Sequence, residues 1–272
     1  MRESGSFSLV NYHSHTWRCQ HASGTEEEYI LKAIDMGFDV LGFADHTPWP
    51  YASDYVSGMR MRLSQFPDYV RTLRALGEKY ADRIFVPLGL ECEAFPDYMG
   101  WLADLKAQYL DYLILGNHFE RSDEHGGFYF GACKTPDHLR RYADCTIAGM
   151  ESGLFAYLAH PDLFCRAYGQ FDADCRAVSR DLCAAARQLN VPLEYNLLGL
   201  QYHARDCASG GMGYPYPKFW EIAAENGCQV ILGLDAHNAQ QLSRRDLFVE
   251  ARQFLGELGL SPLEALPGLQ RG

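Results

Sequence analysis

Seven short apolar stretches recur along the chain, and this pattern restricts its fold more than any other feature. Each stretch has the length and the β-branched or aromatic content of a strand that is buried on both faces. The stretches span residues 7–15, 38–46, 83–91, 111–118, 154–160, 191–196 and 228–237. Helix-like segments separate them, and no Pro/Gly/Ser-rich linker divides the chain. We therefore predict an α/β fold in which residues 1–272 form a single domain, one closed barrel of parallel strands.

The segments between the stretches carry helix signals. Thr25 and Glu28 have the spacing of a capping box, and Gly37 is a typical stop for the helix that they begin. Thr135 and Pro136 suit the N-cap and the first position of another helix. Further helices are predicted over residues 63–80, 97–108, 136–151, 173–189, 217–226 and 240–258.

The composition limits the partners and the compartment of the protein. A formal net charge of −11 disfavours binding to nucleic acid or to an anionic membrane surface, because neither is attracted to a negative field. Divalent cations bound in one cleft would offset this charge locally, so an anionic substrate is compatible with it. The nine cysteines are odd in number and include no C-x-x-C pair, so no disulfide framework is predicted. We recognise no signal peptide and no membrane-spanning stretch, and we expect a cytoplasmic protein.

Histidine, glutamate and aspartate stand at the ends of the apolar stretches. The carboxyl ends of strands in a parallel barrel converge on one face, so residues far apart in the sequence meet there. His13 and His15 are two positions apart, as are Asp235 and His237, so each pair projects to one side of its strand. The full set has seven imidazoles and two carboxylates: His13, His15, His21, His46, Glu91, His118, His160, Asp235 and His237.

This set predicts a metal centre. Mixed nitrogen and oxygen ligands suit zinc, iron or manganese rather than calcium or magnesium. A single histidine at a strand end is more often a hydrogen-bonded structural residue. Seven of the ten histidines stand at or just beyond such ends, however, while His125, His138 and His203 do not. Nine ligands are too many for one ion, so we predict three divalent transition-metal ions, with Cys19 as a further candidate ligand.

The ordered motifs carry a family resemblance. They are HSH at 13–15, GFADHTPW at 42–49, GLECE at 89–93, GNH at 116–118, AHPD at 159–162, EYN at 194–196 and LDAH at 234–237. In this order they resemble the PHP (polymerase and histidinol phosphatase) superfamily, in particular its stand-alone histidinol-phosphate phosphatases. The resemblance spans residues 11 to about 255, almost the whole chain.

The resemblance implies a distorted, TIM-like barrel of seven parallel strands that holds a trinuclear metal site. The first ion would be bound by His13, His15, Glu91 and Asp235. The second would be bound by His118 and His160, with Glu91 as a bridge. The third would be bound by His21, His46 and His237. The implied reaction is hydrolysis of a small phosphorylated substrate, L-histidinol phosphate, by attack of a hydroxide that bridges the ions held by Glu91 and His118.

Other residues near the motifs are candidates for further roles. Asp162 follows His160 and is a candidate general acid for the leaving alcohol, or else a turn cap. Asp45 could orient a neighbouring imidazole, or cap a loop. Glu194 and Asn196 could contact the substrate, or could form hydrogen bonds at the barrel mouth.

One position departs from the family pattern. Similar proteins usually have an arginine where this chain has Gln201, and an arginine is the natural bidentate ligand for phosphate. Arg60, Arg166 and Arg205 are the replacement candidates, although each could equally be a surface charge. The departure leaves open a phosphoesterase for another small phosphate monoester or diester. A structural PHP module that binds metal without catalysis is the non-enzymatic alternative, and metal identity and oligomeric state stay open.

Overall fold

The structure is a computed structural model that describes residues 7–269. Its strands are β1 (Val10–Asn11), β2 (Val40–Leu41), β3 (Phe43–His46), β4 (Leu88–Cys92), β5 (Tyr112–Leu115), β6 (Tyr157–Leu158), β7 (Leu193–Asn196) and β8 (Val230–Gly233). Its α-helices are α1 (Glu26–Asp35), α2 (Phe66–Lys79), α3 (Met99–Tyr109), α4 (Pro136–Glu151), α5 (Ala173–Leu189), α6 (Leu197–Ala208), α7 (Pro217–Glu225) and α8 (Arg245–Glu257).

Strands β3 to β8 form one sheet in chain order, and every neighbouring pair is parallel. Strands β1 and β2 form a second, two-stranded parallel sheet. The backbone after β1 reaches both edges of the larger sheet, since Ala44 N donates to Ser14 O (2.9 Å) and His15 N donates to Ala236 O (2.8 Å). The larger sheet is therefore curled into a half-barrel, and residues 13–15 lie across its opening.

The predicted parallel α/β architecture is confirmed, but the predicted count of seven strands is not. Each of the seven predicted stretches contains a strand, and the stretch at 38–46 is divided at Gly42 into β2 and β3. Gly42 N donates to Asn11 O (2.7 Å), and a Cβ at this position would overlap the hydroxyl of Tyr112. The strand therefore bends here from the small sheet into the larger one.

The helix predictions agree with the structure best where a cap defines the start. The capping box of Thr25 and Glu28 begins α1, and the Thr135 side chain accepts from His138 N at the start of α4. Helices α2 and α8 begin later than predicted because short 3-10 turns precede them. Helix α6 was not predicted. Its first residue follows β7 directly, and the side chain of Asn196 caps it by accepting from Gly199 N (2.8 Å).

The core has two layers, as the curled sheet requires. Most buried apolar residues lie between the sheet and the helices. A smaller cluster fills the concave side, where Tyr12, Tyr112 and Tyr157 are fully buried. The chain after α8 covers this cluster, because Leu266 N donates to Tyr12 Oη (3.3 Å) and Leu263 N donates to Val230 O (2.8 Å). The opposite end of the sheet, with the carboxyl ends of the strands, stays free for a site.

Within residues 7–269, none of the helices combines the length and the apolarity that crossing a bilayer requires.

Candidate metal centre

All nine predicted ligands lie together at the carboxyl ends of the strands, and Glu91 on β4 is at their centre. Its Oε2 lies 3.3 Å from His13 Nε2, 3.1 Å from His46 Nδ1 and 3.5 Å from His15 Nε2. His46 ends β3 and is the register partner of Glu91, so the two side chains start from adjacent strands. One carboxylate oxygen therefore faces three imidazoles.

The other oxygen of Glu91 faces two more imidazoles. Oε1 lies 2.9 Å from His160 Nε2 and 3.4 Å from His118 Nε2. Gly116 makes room for this arrangement, because a Cβ at that position would overlap the Glu91 carboxylate. Glu91 thus has the geometry of a carboxylate that bridges two groups of nitrogen ligands.

Asp235, after β8, is the second carboxylate of the centre. Its Oδ1 lies 3.0 Å from His15 Nε2, 3.5 Å from His13 Nε2 and 3.6 Å from His237 Nδ1. The backbone φ of Asp235 is +49° and that of His160 is +31°, a region that side-chain-bearing residues rarely adopt. Backbone strain of this kind clusters at functional sites, where the surrounding structure enforces it.

His21 completes the set at the solvent side. Its ring centroid lies 4.8 Å from that of His237 and 5.3 Å from that of His46. A hydrogen bond of 2.7 Å between His21 Nδ1 and Cys19 O orients the ring, which leaves Nε2 available as a ligand. The buried thiol of Cys19 lies within 4.8 Å of ligand atoms of His21 and His237.

These residues fit divalent metal ions. Three groups have their ligand atoms within 4.8 Å of one another: His13, His15 and Asp235; His46, Glu91 and His118; His15, His46 and His237. In the described part of the chain, the buried atoms His13 Nε2, His46 Nδ1 and Glu91 Oε2 have no hydrogen-bond partner. Buried polar atoms without a partner are costly, and coordination to a cation would satisfy these atoms.

The close packing of imidazoles and carboxylates shifts the pKa values of the candidate ligands. Burial lowers the pKa of His13, but the neighbouring carboxylates, Glu194 first, raise it well above its usual range. Burial raises the pKa of Glu91, but the imidazoles around it hold that pKa well below its usual range. Burial and the nearby His15 hold the pKa of His46 well below its usual range. The centre therefore favours the ionised form of Glu91. It raises the pKa of His13 and lowers the pKa of His46.

Carboxylates outside the centre hold the ligands in place. Glu194 Oε1 lies 2.8 Å from His13 Nδ1, and its Oε2 accepts from His160 N (3.1 Å). The amide of Asn196 donates to Glu194 Oε2 (2.9 Å) and to Asp235 Oδ2 (3.3 Å). Glu194 and Asn196 are fully buried. This geometry corrects the predicted substrate contacts, because both side chains lie behind the ligands and position them instead.

Asp45, predicted either to orient an imidazole or to cap a loop, lies between the segments that carry His15 and His46. Its Oδ1 lies 3.5 Å from His15 Nδ1 and accepts from His46 N (2.9 Å). Its Oδ2 accepts from the backbone N (3.2 Å) and the hydroxyl of Thr16. Asp45 thus connects two ligand-bearing segments.

The predicted general acid, Asp162, does not face the centre. It is fully buried, and its Oδ2 accepts from Tyr216 N (2.6 Å) and from Trp220 Nε1 (3.2 Å). Burial is the largest effect on this group, and it raises the pKa of Asp162 to about 6. A proton donor for a leaving alcohol must reach the substrate, so this geometry corrects the prediction and makes Asp162 an anchor for the start of α7.

The three candidate arginines have different surroundings. Arg60 is fully buried and its Nη2 lies 2.7 Å from Glu93 Oε1, so it is not a surface charge and does not face the cleft. Arg205 stacks over the ring of Tyr202, with its side chain 57% exposed. Only Arg166 reaches the cleft wall, because its Nη1 donates to Tyr129 Oη (3.1 Å). Arg60 and Arg205 are therefore not supported as phosphate ligands.

A cavity of about 370 Å³ opens above the ligands. Besides metal-ligand candidates, it is lined by Met59, Phe119, Tyr129, Leu163, Leu198 and Tyr214. None of these six residues was predicted, because aromatic and apolar residues look the same in a sequence whether they line a cleft or a core. Glu93 was not predicted either, although its position two residues after Glu91 on extended backbone predicts that both side chains point to the same side.

A curled parallel β/α sheet that gathers histidines and carboxylates at the carboxyl ends of its strands defines a metal-dependent enzyme of the barrel class. The chain belongs to the PHP domain family, which it matches over residues 11–198.

Relatives extend this similarity over the whole chain. A protein of Deinococcus radiodurans named "probable histidinol-phosphatase" is 29% identical, over 92% of this chain and 94% of its own length. A protein of Schizosaccharomyces pombe with the same name is 25% identical, over 93% and 88% respectively. The histidinol phosphate phosphatase of Lactococcus lactis, solved with zinc, L-histidinol and phosphate, has the same fold. It aligns with a TM-score of 0.71 and 19% identity over 95% of this chain and 96% of that one.

Proposed function

We propose that this protein is a metal-dependent phosphomonoesterase that hydrolyses L-histidinol phosphate to L-histidinol and phosphate, a step of histidine biosynthesis. One observation carries the proposal: all nine ligand candidates lie at one end of the sheet, and five of their imidazoles lie within 3.5 Å of the Glu91 carboxylate. The relatives named as histidinol-phosphatases cover nearly the full chain, which supports the same activity here.

We also propose three ions, of zinc, iron or manganese. We assign His13, His15, Glu91 and Asp235 to the first ion, Glu91, His118 and His160 to the second, and His21, His46 and His237 to the third. The ligand atoms of His13, His15 and Asp235 lie within 4.8 Å of one another, and Glu91 Oε1 lies 2.9 Å from His160 Nε2 and 3.4 Å from His118 Nε2. The ring centroid of His21 lies 4.8 Å from that of His237 and 5.3 Å from that of His46. Divalent cations at such a site supply Lewis acidity and lower the pKa of coordinated water toward neutrality. The solved relative holds zinc, which supports zinc as one of the candidates.

The residues of this chain bind and orient the substrate. Arg166 is the arginine best situated for the phosphate, since Tyr129 holds it at the edge of the cavity. Phe119, Tyr129 and Tyr214 give the cavity aromatic walls, which suit an imidazole ring and exclude bulk water from the reacting phosphorus. Water then adds to phosphorus as the bond from phosphorus to the ester oxygen breaks, and the departing alkoxide takes up a proton.

The barrel itself can be described more finely under this proposal. If β2 and β3 count as one bent strand, the two sheets supply seven parallel strands, as the family resemblance implies. The backbone bonds of residues 13–15 to Ala236 and Ala44 support this view. The chain would then form a single domain.

The decisive experiment is steady-state turnover of L-histidinol phosphate by protein saturated with Mn²⁺ or Zn²⁺. A specificity constant at least 100-fold above that for an aryl phosphate supports the proposal. Equal constants for the two substrates contradict it. Activity that depends on added metal and disappears with a chelator supports the metal requirement.

The orientation of Gln201 and Arg205 favours testing a second candidate, a PHP phosphoesterase for another small phosphate ester. Gln201 Nε2 donates to Leu197 O (3.4 Å) in its own helix, and the side chain of Arg205 is 57% exposed and pairs with Asp206 (3.3 Å). A panel of sugar phosphates, amino-alcohol phosphates and nucleotide diesters separates the two. Preference for any of these over L-histidinol phosphate favours the second candidate.

A further inference from the structure

Glu93 lies directly behind the ligand candidate His118. The two residues meet through Glu93 Oε1 and His118 Nδ1, which are 3.4 Å apart, while His118 Nε2 faces Glu91. A carboxylate behind a ligand histidine fixes the orientation of the ring and the nitrogen that serves as ligand. Glu93 follows Glu91 by two positions and stands one residue beyond β4, so one strand end supplies both the central ligand and the support of another.

Arg60 contacts the same oxygen of Glu93 that faces His118. Its Nη2 lies 2.7 Å from Glu93 Oε1, and both side chains are fully buried. Trp49 Nε1 donates to the other oxygen of Glu93 (3.4 Å). On its far side, Arg60 Nε lies 3.5 Å from Asp123 Oδ2. The guanidinium thus holds Glu93 between the indole and His118.

The support behind His118 differs from the support behind the other histidines. His13 is backed by Glu194, and His15 by Asp45. Among residues 7–269, neither of those two carboxylates forms an ion pair with an arginine or lysine. Arg60 is therefore specific to the His118 side of the centre, and its position cannot be explained as a general means of balancing charge.

The segment that carries Arg60 also forms part of the cleft. Gln20 Nε2 donates to Arg60 O and to Ser57 O, at 2.8 Å each, which ties this segment to the residue before His21. Met59, next to Arg60, lines the cavity. Placing Arg60 correctly therefore also places the loop that borders the metal centre.

We propose that Arg60 is a positioning residue that acts through Glu93 to hold His118 in its metal-binding orientation, and not a phosphate ligand. Without the guanidinium, Glu93 loses its charged partner and can turn toward the donor Trp49 Nε1, so the ring of His118 loses its fixed direction. The inference concerns metal binding directly and rests on the proposed function only for its effect on turnover.

The test compares Arg60→Met, Glu93→Gln and the double variant, with Arg62→Met as the control. Arg62 is an exposed neighbour on the same segment, so it controls for loss of positive charge near the site. Metal-free protein is titrated with Mn²⁺ and with Zn²⁺ against a chromogenic chelator, and bound ions per chain are counted. Melting temperature, kcat and KM for L-histidinol phosphate are measured on the same samples.

We expect Arg60→Met and Glu93→Gln each to weaken the binding of one ion by about 10–100-fold, the typical cost of losing an outer partner of a ligand. The double variant should bind metal no worse than Glu93→Gln alone, because two residues that act in series are not additive. kcat should fall while KM stays nearly unchanged, and Arg62→Met should behave as the wild type.

Unchanged metal binding in Arg60→Met, with only a lower melting temperature, would overturn the proposal in favour of a structural role. If the losses of metal affinity in the two single variants add fully in the double variant, Arg60 does not act through Glu93. If Arg60→Met does not fold, Glu93→Gln carries the test, since it breaks the same ion pair and keeps the size of the side chain: weaker binding of one ion supports the proposal and wild-type affinity overturns it. Failure of the proposed function would give a different result from these outcomes: the wild type would bind metal normally but would not hydrolyse L-histidinol phosphate.

Discussion

Glu91 Oε1 lies 2.9 Å from His160 Nε2, although 69 positions separate the two residues in the sequence. Glu91 is part of β4, and His160 stands two residues beyond β6, in a turn with positive φ. The contact exists because β4, β5 and β6 are parallel neighbours whose carboxyl ends lie at one edge. The fold thus turns distant strand ends into one site.

Replacement of Glu91 by glutamine tests the central position of this carboxylate. Glu91→Gln keeps the size of the side chain but removes the charge that faces five imidazoles. Metal affinity and kcat should each fall by more than the roughly 10–100-fold that loss of an outer partner costs. Elemental analysis and steady-state kinetics measure both effects. Glu250→Gln, on the exposed side of α8, is the control, and wild-type activity in Glu91→Gln would rule out the bridging role.

Replacement of Gly233 by alanine tests the support behind His13. A Cβ at Gly233 would overlap Glu194 Oε1, the oxygen that contacts His13 Nδ1. We expect a loss of about 1–3 kcal/mol in the free energy of unfolding from overpacking, together with weaker metal binding. Gly256→Ala is the matched control on α8, where a new Cβ meets nothing within 4 Å. Denaturant unfolding and metal titration should separate the two variants, and equal behaviour would contradict the role of Glu194.

The ligand positions could be predicted from the sequence because the geometry of parallel strands makes them local features. His13 and His15 share a face since side chains alternate along extended backbone, and the carboxyl ends of strands converge in any parallel barrel. No knowledge of the packing of loops was needed. The α/β architecture followed from the same regularity, whereas the family was recognised by the resemblance of the ordered motifs.

The residues that were assigned wrongly depend on tertiary packing. Nothing in the sequence distinguishes Arg60, buried against Glu93, from Arg205, which lies exposed on α6. Asp162 has the sequence context of an active-site acid, but its carboxylate turns toward the start of α7. The direction of a side chain in a loop is set by the elements that pack against it. It therefore cannot be predicted from the neighbouring residues in a single sequence.

Removal of metal should destabilise the protein. The ligand candidates carry buried atoms that have no hydrogen-bond partner within residues 7–269, and bound cations would satisfy them only in the folded state. A ligand at 100 times its Kd stabilises a folded protein by about 2.7 kcal/mol per site. Scanning calorimetry should therefore give a melting temperature that rises by several degrees with added Mn²⁺ or Zn²⁺ and falls with a chelator. An unchanged melting temperature in both conditions would exclude a metal centre of this kind.

Replacement of Arg166 should affect substrate binding more than replacement of Arg205. Arg166 donates to Tyr129, which lines the cavity, whereas Arg205 is 57% exposed and contacts Asp206. Loss of a hydrogen bond to a charged group costs about 1.5–3 kcal/mol, or roughly 10–150-fold in kcat/KM. We expect that loss for Arg166→Met and wild-type values for Arg205→Met, measured with L-histidinol phosphate. Equal losses in both variants, or none in Arg166→Met, would exclude Arg166 as the phosphate ligand.

Replacement of Asn196 should separate helix capping from ligand support. Asn196 caps α6 through Gly199 N and also donates to Glu194 and Asp235. Thr135 caps α4 in the same way but contacts none of the ligands. Loss of a cap alone costs about 1 kcal/mol, so Thr135→Ala should lower the melting temperature by about 2–4 °C, and Asn196→Ala should lower it further because Glu194 and Asp235 also lose a buried donor. Only Asn196→Ala should also lose metal affinity and kcat, because only its amide holds the carboxylates in place. A drop in melting temperature without any change in metal titration would reduce Asn196 to a helix cap.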